Sequence, residues 1–181
     1  MTEFRVGTGF DLHRLEAGRR FVLGGVEIPF EKGPAGHSDA DALLHALADA
    51  LLGAAGLDDL GTLFPDSDPR WKGVASGRLL AEVLERVRGA GWSVVNVDAV
   101  VLLERPKIAA RRGEIRANLA RLLEISADRV NFRGKTMESL GPIGSGEALA
   151  ASAVALLAKT SANPRSRPRA LGAGAPARRR T

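Results

Sequence analysis

Segments with strand-like and helix-like side-chain patterns alternate along this chain, and their order limits it to one class of fold. Alternating apolar and polar residues predict strands, whereas apolar residues at helical spacing predict amphipathic helices. Strands are predicted at residues 3–12, 20–28, 92–103 and 130–135. Helices are predicted at residues 39–56, 79–87, 108–124 and 146–159. This order predicts a single compact α/β domain, in which helices pack on one face of a small mixed sheet.

Local signals refine the first half of this prediction. Ser38, followed three residues later by Asp41, is similar to a capping box, and acids at positions 39 and 41 suit the positive end of a helix dipole. Gly56 suits the end of the same helix. The two extended segments before this helix predict a β-hairpin at the start of the chain. Residues 57–73 have little periodicity and are predicted to form a loop.

Basic residues are concentrated at the end of the sequence. The net charge is +5, but residues 161–181 contain six arginines and no acid, which leaves 20 basic against 21 acidic residues elsewhere. We therefore divide the chain into a domain at residues 1–160 and a disordered, arginine-rich tail at residues 161–181. The tail is either a solvated extension or a contact to phosphates of RNA or an anionic surface. It has no aromatic residue to stack on bases, which disfavours nucleic-acid recognition.

The composition also bears on the compartment. The chain contains no cysteine, which excludes a disulfide framework and a thiolate metal site and suits a reducing compartment. No apolar run approaches the roughly 20 residues of a membrane span. Residues 1–5 lack the shape of a secretory signal. We therefore expect a cytoplasmic protein without a membrane partner.

Asp11, His13 and His45 form a candidate metal site with one oxygen and two nitrogen ligands. Asp11 and His13 are two residues apart on a predicted strand, so they project from the same face. His45 belongs to the second turn of the predicted helix, where Asp41 and Asp49 flank it by four residues on either side. Either carboxylate could accept a hydrogen bond from the imidazole nitrogen of His45 that does not bind the metal, as acceptors beside metal-bound histidines usually do. Two histidines and one carboxylate leave a position open, which suits a catalytic Zn²⁺.

Three later segments carry groups that bind sugar phosphates or diphosphates. Residues 57–68 combine carboxylates, hydroxyls and a glycine, although aspartates there equally suit turns and helix caps. Residues 105–107 and 134–138 each follow a predicted strand, and ligands of α/β sheets gather beyond the carboxyl ends of strands. Lysine neutralises phosphate, threonine donates to a phosphoryl oxygen, and glutamate can hold Mg²⁺.

Taken together, these motifs resemble the 2-C-methyl-D-erythritol 2,4-cyclodiphosphate synthase family of the non-mevalonate isoprenoid pathway. The resemblance covers about residues 4–158 and rests on residues 7–14, 37–41, 44–46, 49–54, 59–61, 64–66, 105–107 and 135–138. It implies a homotrimer with active sites between neighbouring chains. It also implies a phosphorus–oxygen lyase that converts 4-diphosphocytidyl-2-C-methyl-D-erythritol 2-phosphate to the cyclic 2,4-diphosphate and releases CMP.

The resemblance also assigns residues to roles. It implies that Zn²⁺, or another divalent cation, is held by Asp11, His13 and His45. It implies transition-state stabilisation by His37 and Thr136. The residues that match contacts to the methylerythritol phosphate are Ser38, Asp59, Gly61, Phe64, Asp66 and Asp68. The residues that match contacts to the cytidine diphosphate part are Lys107, Ile108, Lys135 and Glu138, the last of which also reaches a Mg²⁺ that bridges the phosphates.

Two alternatives to this function stay open. A Zn²⁺-dependent phosphoesterase would use the same three ligands to activate water and would release a linear product. A trimeric nucleotide-binding module would keep the fold without turnover. The sequence also departs from the family pattern at Pro142 and Ser145, which replace a phenylalanine and an arginine beside the pore of the trimer. The isoprenoid diphosphate that can occupy that pore is therefore not carried over to this chain.

Overall fold

The computed structural model describes residues 2–159, so the tail predicted at residues 161–181 lies outside the described part. The strands are β1 Phe4–Ala17, β2 Val22–Leu23, β3 Val26–Glu27, β4 Lys32–Pro34, β5 Trp92–Leu102, β6 Val130–Lys135 and β7 Ala148–Lys159. The helices are α1 Ala42–Ala55, α2 Leu60–Leu63, α3 Ser76–Gly89, α4 Arg112–Leu123 and α5 Gly141–Gly144. Within residues 2–159, no helix has both the length and the apolar character that crossing a bilayer requires.

Five strands form one mixed sheet in the order β4-β1-β7-β5-β6. β7 is antiparallel to both β1 and β5, whereas β5 and β6 are parallel. The register aligns Gly9 with Ala153, Ala153 with Ala99, and Ala99 with Phe132, so these residues share one face of the sheet. Helices α1, α3 and α4 cover this face. The prediction of one α/β domain with a mixed sheet is confirmed.

Helix α1 approaches β1 closely because the strand has glycine where the two elements meet. A Cβ atom added at Gly9 would lie 2.0 Å from the carbonyl oxygen of Ala46, and one at Gly7 would lie 2.1 Å from that of Ala50. No side chain fits in that space. Ala46, Ala50 and Ala54 of α1 lie at this contact and are buried. This close packing brings His45 of α1 beside Asp11 and His13 of β1.

We expect Gly9→Ala to lower the free energy of unfolding by about 3 kcal/mol, because the added methyl group meets backbone atoms that cannot move aside. The measurement is urea-induced unfolding of the purified protein. Gly113→Ala is the matched control, because nothing lies within 4 Å of a Cβ at that position on α4. Equal unfolding midpoints for the two variants would contradict the prediction.

The helix predicted at residues 146–159 is wrong, because Ala148–Lys159 form the strand β7 at the centre of the sheet. Alanine is the strongest helix former, and the segment is rich in it. Tertiary packing overrides that preference here. Ala153 and Ala155 are fully buried beneath α1, whereas Ser152 and Val154 face the other side and are exposed. Small side chains in this strand leave room for the helix.

The start of the chain also differs from the prediction. β1 pairs with β4 and β7, whereas the hairpin lies within the second extended segment, between β2 and β3. Gly24 and Gly25 form its turn with positive φ angles of 59° and 73°, which glycine adopts without strain. Helix α1 begins at Ala42 with Asp41 as its N-cap, so Ser38 does not cap it. The predicted loop at residues 57–73 contains the short helix α2.

Candidate functional site

The three predicted metal ligands converge in the fold. Asp11 and His13 project from β1 toward α1, and His45 projects from the first turns of α1. Asp11 Oδ2 lies 2.8 Å from His13 Nε2 and 3.0 Å from His45 Nδ1. The two imidazole nitrogens are 3.3 Å apart. These residues form a group that could hold a metal ion.

The donor set fits a divalent cation such as Zn²⁺. A tetrahedral ion with bonds of about 2.0–2.1 Å separates its ligand atoms by about 3.3 Å, which is close to the three distances here. The Nδ1 atom of His13 lies 2.8 Å from the carbonyl oxygen of Ala35. A carbonyl oxygen only accepts, so in the neutral imidazole that binds a metal Nδ1 carries the proton and Nε2 presents its lone pair to the site. One carboxylate oxygen and two imidazole nitrogens are ligands that zinc prefers.

The negative charge of Asp11 and the positive charge of its histidine neighbours stabilise each other. Burial raises the pKa of the Asp11 carboxyl, but hydrogen bonds and charges from His13 and His45 outweigh it and hold that pKa well below its ordinary value. Burial lowers the pKa of His13, and the hydrogen bond and charge of Asp11 more than reverse this, so the pKa of His13 is raised. Asp11 therefore offers an anionic oxygen to a cation at neutral pH.

Asp41, one of the two carboxylates that could hold the His45 imidazole, does not contact it. The Asp41 carboxylate is completely buried and accepts hydrogen bonds from the N–H groups of Gly24 at 2.9 Å, Gly25 at 2.6 Å and Leu44 at 3.1 Å. Burial raises the pKa of this carboxyl, and the three N–H donors oppose that shift. Asp41 thus joins the β2–β3 turn to the start of α1. It shapes the site by placing the helix and does not contact the imidazole.

Asp49 does not hold the His45 imidazole either. Its carboxylate accepts a hydrogen bond of 2.8 Å from the N–H of Leu60 and so anchors the start of α2. The Nε2 atom of His45 instead lies 2.8 Å from the hydroxyl of Ser76 and 3.2 Å from that of Ser38. The prediction failed because Ser76 is 31 positions away in the sequence, and no local spacing indicates such a partner.

A cavity of about 180 Å³ opens beside the metal ligands. It brings together five of the residues predicted for catalysis or for the methylerythritol phosphate, which are His37, Ser38, Gly61, Phe64 and Asp66. The Nε2 atom of His37 is buried and has no hydrogen-bond partner among the described residues. An unpaired buried imidazole nitrogen is costly in a folded protein, so it points to a ligand. Trp71 also lines this cavity, and the sequence analysis missed it.

Asp59 and Asp68 do not line that cavity. Asp59 caps α2 and accepts a hydrogen bond of 2.7 Å from the N–H of Thr62. Asp68 caps the short turn Pro69–Trp71 and pairs with Arg70 at 2.6 Å. Both carboxylates therefore have the capping role that the sequence left open. Their contacts to a substrate stay predictions.

A second cavity, of about 350 Å³, lies beyond the carboxyl ends of the parallel strands β5 and β6. It brings together Lys107, Ile108, Lys135 and Thr136, which were predicted for the cytidine diphosphate part and for catalysis. Glu138 does not line it, although its carboxylate accepts a hydrogen bond of 2.8 Å from the Thr136 hydroxyl. The sequence analysis missed two further lining residues, Arg112 and Arg133. The sequence feature that could have indicated Arg112 as a lining residue is its position shortly after the basic segment at residues 105–107.

Comparison with known proteins relates this site to a family. Residues 4–158 match the model of the YgbB family. A 2-C-methyl-D-erythritol 2,4-cyclodiphosphate synthase of Desulfosudis oleivorans is 56% identical over 153 residues, which cover 84% of this chain and 91% of the relative. An enzyme of the same name from Gloeobacter violaceus is 55% identical over 155 residues, which cover 86% and 95%.

Solved structures agree with the sequence comparison. IspF of Plasmodium falciparum in a complex with CDP superposes with a TM-score of 0.78 and 32% identity, covering 89% of this chain and 99% of that protein. The matches extend over the whole domain that carries both cavities. The chain therefore belongs to the YgbB family, the family of the 2-C-methyl-D-erythritol 2,4-cyclodiphosphate synthases that its motifs resemble.

Proposed function

We propose that this protein is a 2-C-methyl-D-erythritol 2,4-cyclodiphosphate synthase. It converts 4-diphosphocytidyl-2-C-methyl-D-erythritol 2-phosphate to the cyclic 2,4-diphosphate and releases CMP. The observation that carries the proposal is the convergence of Asp11, His13 and His45 beside a cavity with the unpaired imidazole of His37. The CDP complex of the Plasmodium falciparum relative supports a cytidine nucleotide as the ligand.

The reaction joins two anionic groups of one substrate. The 2-phosphate attacks the β-phosphorus of the diphosphate, a new P–O bond forms, and the bond to the CMP oxygen breaks. Because the substrate supplies its own nucleophile, the protein has to neutralise charge and hold the groups in line. When bound, Zn²⁺ at Asp11, His13 and His45 and Mg²⁺ at Glu138 supply positive charge to the phosphoryl oxygens.

The protein's own side chains supply the remaining contacts. The lysines at positions 107 and 135 neutralise the diphosphate. The hydroxyl of Thr136, which donates to Glu138 in the structure, turns to donate to a phosphoryl oxygen when the substrate binds. His37 donates from its imidazole to the reacting phosphate. Phe64 and Leu60 line the cavity with apolar surface, and exclusion of water from a bound substrate favours ring closure over hydrolysis. Orientation of the two reacting groups contributes several of the roughly 7–11 kcal/mol available from this source.

The wild-type protein tests the function when it is incubated with the cytidine substrate, Mg²⁺ and Zn²⁺ and followed by ³¹P NMR. A cyclic diphosphate together with CMP supports the synthase. A linear phosphorylated product together with CMP identifies the alternative phosphoesterase. Unchanged substrate that is nevertheless bound identifies the non-catalytic nucleotide-binding module.

We also propose a homotrimer, and the exposed face of the sheet supports it. Phe4, Val6, Phe10 and Leu12 of β1 project away from α1, and between 55% and 65% of each side chain is exposed. Val154 of β7 lies on the same face. Large exposed apolar side chains clustered on one sheet face are unusual on a monomer and suit contact with further copies of the chain.

The separation of the two cavities supports active sites shared between neighbouring chains. No described residue lines both the cavity beside the metal ligands and the cavity that contains Lys107. One substrate has to reach the metal centre with its phosphates and the nucleotide cavity with its cytosine. A neighbouring chain that presents its nucleotide cavity to the metal centre meets both requirements.

Complementation tests this shared site. We expect His13→Ala and Lys107→Ala to be nearly inactive when each is purified alone. When the two are co-expressed, mixed trimers contain sites built from an intact metal centre and an intact nucleotide cavity. Random assembly makes such sites about a quarter of the total, so about a quarter of the wild-type rate should return. No recovery in verified mixed trimers would place each active site within one chain.

A cytoplasmic location is also part of the proposal. The absence of cysteine from the sequence supports it, because that composition suits a reducing compartment. The arginine-rich tail keeps its two interpretations, a solvated extension or a contact to phosphates.

A further inference from the structure

We propose that Asp39 and Ser76 act as positioning residues that select which nitrogen of His45 binds the metal. The inference rests on the metal centre of the proposed function and concerns residues outside the set of ligands. The Nε2 atom of His45 lies 2.8 Å from the Ser76 hydroxyl, and that hydroxyl contacts Oδ1 of Asp39. Ser76 is only 1% exposed, so water does not compete for these contacts.

The direction of the hydrogen bonds follows from what each group can donate. An ionised carboxylate only accepts, so the Ser76 hydroxyl must donate its proton to Asp39. Its oxygen then faces His45 with a lone pair and accepts the proton of Nε2–H. A neutral imidazole with its proton on Nε2 has its lone pair on Nδ1. Nδ1 is the atom that lies 3.0 Å from Oδ2 of Asp11, at the metal site.

Further contacts hold the two positioning residues in place. Oδ1 of Asp39 accepts hydrogen bonds from the backbone N–H of Ser76 at 3.1 Å and from that of Asp41 at 3.4 Å. Ser76 is the first residue of α3, whose N-cap makes no side-chain hydrogen bond. The Asp39 carboxylate therefore lies where it stabilises the start of that helix. It thereby ties α3 to the segment that leads into α1.

The Ser38 hydroxyl is a second, weaker neighbour of the imidazole. It lies 3.2 Å from Nε2 of His45 and 3.4 Å from the Ser76 hydroxyl, and it accepts a hydrogen bond of 3.1 Å from the N–H of Ala40. The contact to Ser76 is shorter, and only Ser76 is linked to a carboxylate. A hydrogen bond assisted by a charge is about twice as strong as a neutral one. Ser76 is therefore the residue that orients the imidazole.

The arrangement has a functional consequence for the metal centre. A histidine free to exchange its proton between two nitrogens presents the wrong tautomer for part of the time. Groups that hold the second nitrogen of a metal-bound histidine typically change metal affinity about 10–100-fold when they are removed. We therefore expect Ser76→Ala to weaken Zn²⁺ binding about 10–100-fold, as measured by competition with a chelator.

Two measurements distinguish a loss of His45 positioning from a general loss of folded structure. The first is ¹H–¹⁵N long-range NMR of the full chain, labelled on its three histidines and free of metal. Without metal, Oδ2 of Asp11 competes for this proton from the Nδ1 side, so we expect Ser76→Ala to shift the tautomer of His45 from Nε2–H toward Nδ1–H relative to the wild type. The second is rescue by Ser76→Thr, which keeps the hydroxyl and should restore Zn²⁺ affinity to within about threefold of the wild type.

Matched variants keep the test decisive. Ser93→Ala removes a half-buried hydroxyl far along the chain, on β5, and should leave Zn²⁺ affinity unchanged. If Ser76→Ala does not fold, Asp39→Asn removes only the charge and should weaken Zn²⁺ binding about 3–10-fold. An unchanged tautomer and an unchanged Zn²⁺ affinity in a folded Ser76→Ala variant would overturn the inference. A wild type that binds no Zn²⁺ would instead overturn the metal centre, whereas the tautomer would still report on Ser76.

Discussion

His13→Ala is expected to reduce the rate of cyclisation at least about 1,000-fold, which corresponds to about 4 kcal/mol of transition-state stabilisation. The variant removes one of three ligand atoms that lie 2.8 to 3.3 Å apart. Asp11 and His45 alone offer two ligands, and zinc sites in enzymes usually have three from the protein. The loss of the cation removes positive charge from the point where two anionic groups must meet.

The measurement for His13→Ala is the rate of CMP release, together with the zinc content of the purified protein. His37→Ala is the matched control, because it also replaces a histidine in the same cavity but removes no predicted ligand. We expect His37→Ala to lose activity and to keep its zinc. A His13→Ala variant that keeps both its zinc and its rate would refute the metal site.

Asp41→Ala is expected to lower the free energy of unfolding by about 4 kcal/mol. The substitution leaves the N–H groups of Gly24, Gly25 and Leu44 without their acceptor. A buried polar group without a partner costs about 1–3 kcal/mol, and removal of the N-cap adds to this. The effect is larger than that expected of Gly9→Ala because three separate donors lose one common partner.

Chemical unfolding with circular dichroism measures this loss. Asp59→Ala is the control, because Asp59 also caps a helix but is exposed and accepts from one backbone N–H in the described structure. We expect its unfolding midpoint to change much less. Asp41→Asn keeps an oxygen acceptor and should fall between the wild type and Asp41→Ala. Equal losses for Asp41→Ala and Asp59→Ala would show that burial of the Asp41 carboxylate is unimportant.

The candidate metal ligands could be predicted in part because the arrangement of two of them depends on local geometry. Residues two apart on a strand share a face, so Asp11 and His13 had to lie together once β1 formed. The helical spacing of leucines predicted α1 and hence the element that carries His45. The cavity at Lys107 and Thr136 followed from the rule that ligands bind beyond the carboxyl ends of parallel strands. Each of these conclusions needs only a short stretch of sequence, whereas the approach of His45 to Asp11 and His13 depends on the packing of α1 against β1.

Other features depend on contacts between distant segments. Ala148–Lys159 is a strand because its alanines are buried between two other strands and beneath α1. The preference of alanine for helices is at most about 0.7 kcal/mol per residue relative to ordinary residues, and the packing of a central strand outweighs it. No pattern within the segment itself reports on that packing.

The hydrogen-bond partners of the aspartates also separate what the sequence determines from what tertiary contacts decide. By itself, the sequence determined the α/β class, the three candidate ligands and the family to which they belong. Only the tertiary structure decided that Asp41 binds the β2–β3 turn, that Asp49 anchors α2, and that Ser76 holds His45. The periodicity of apolar residues in the sequence indicates which side chains share a face of one strand or helix. Which groups meet across elements depends on how closely the elements pack, and here the glycines of β1 set that distance to α1.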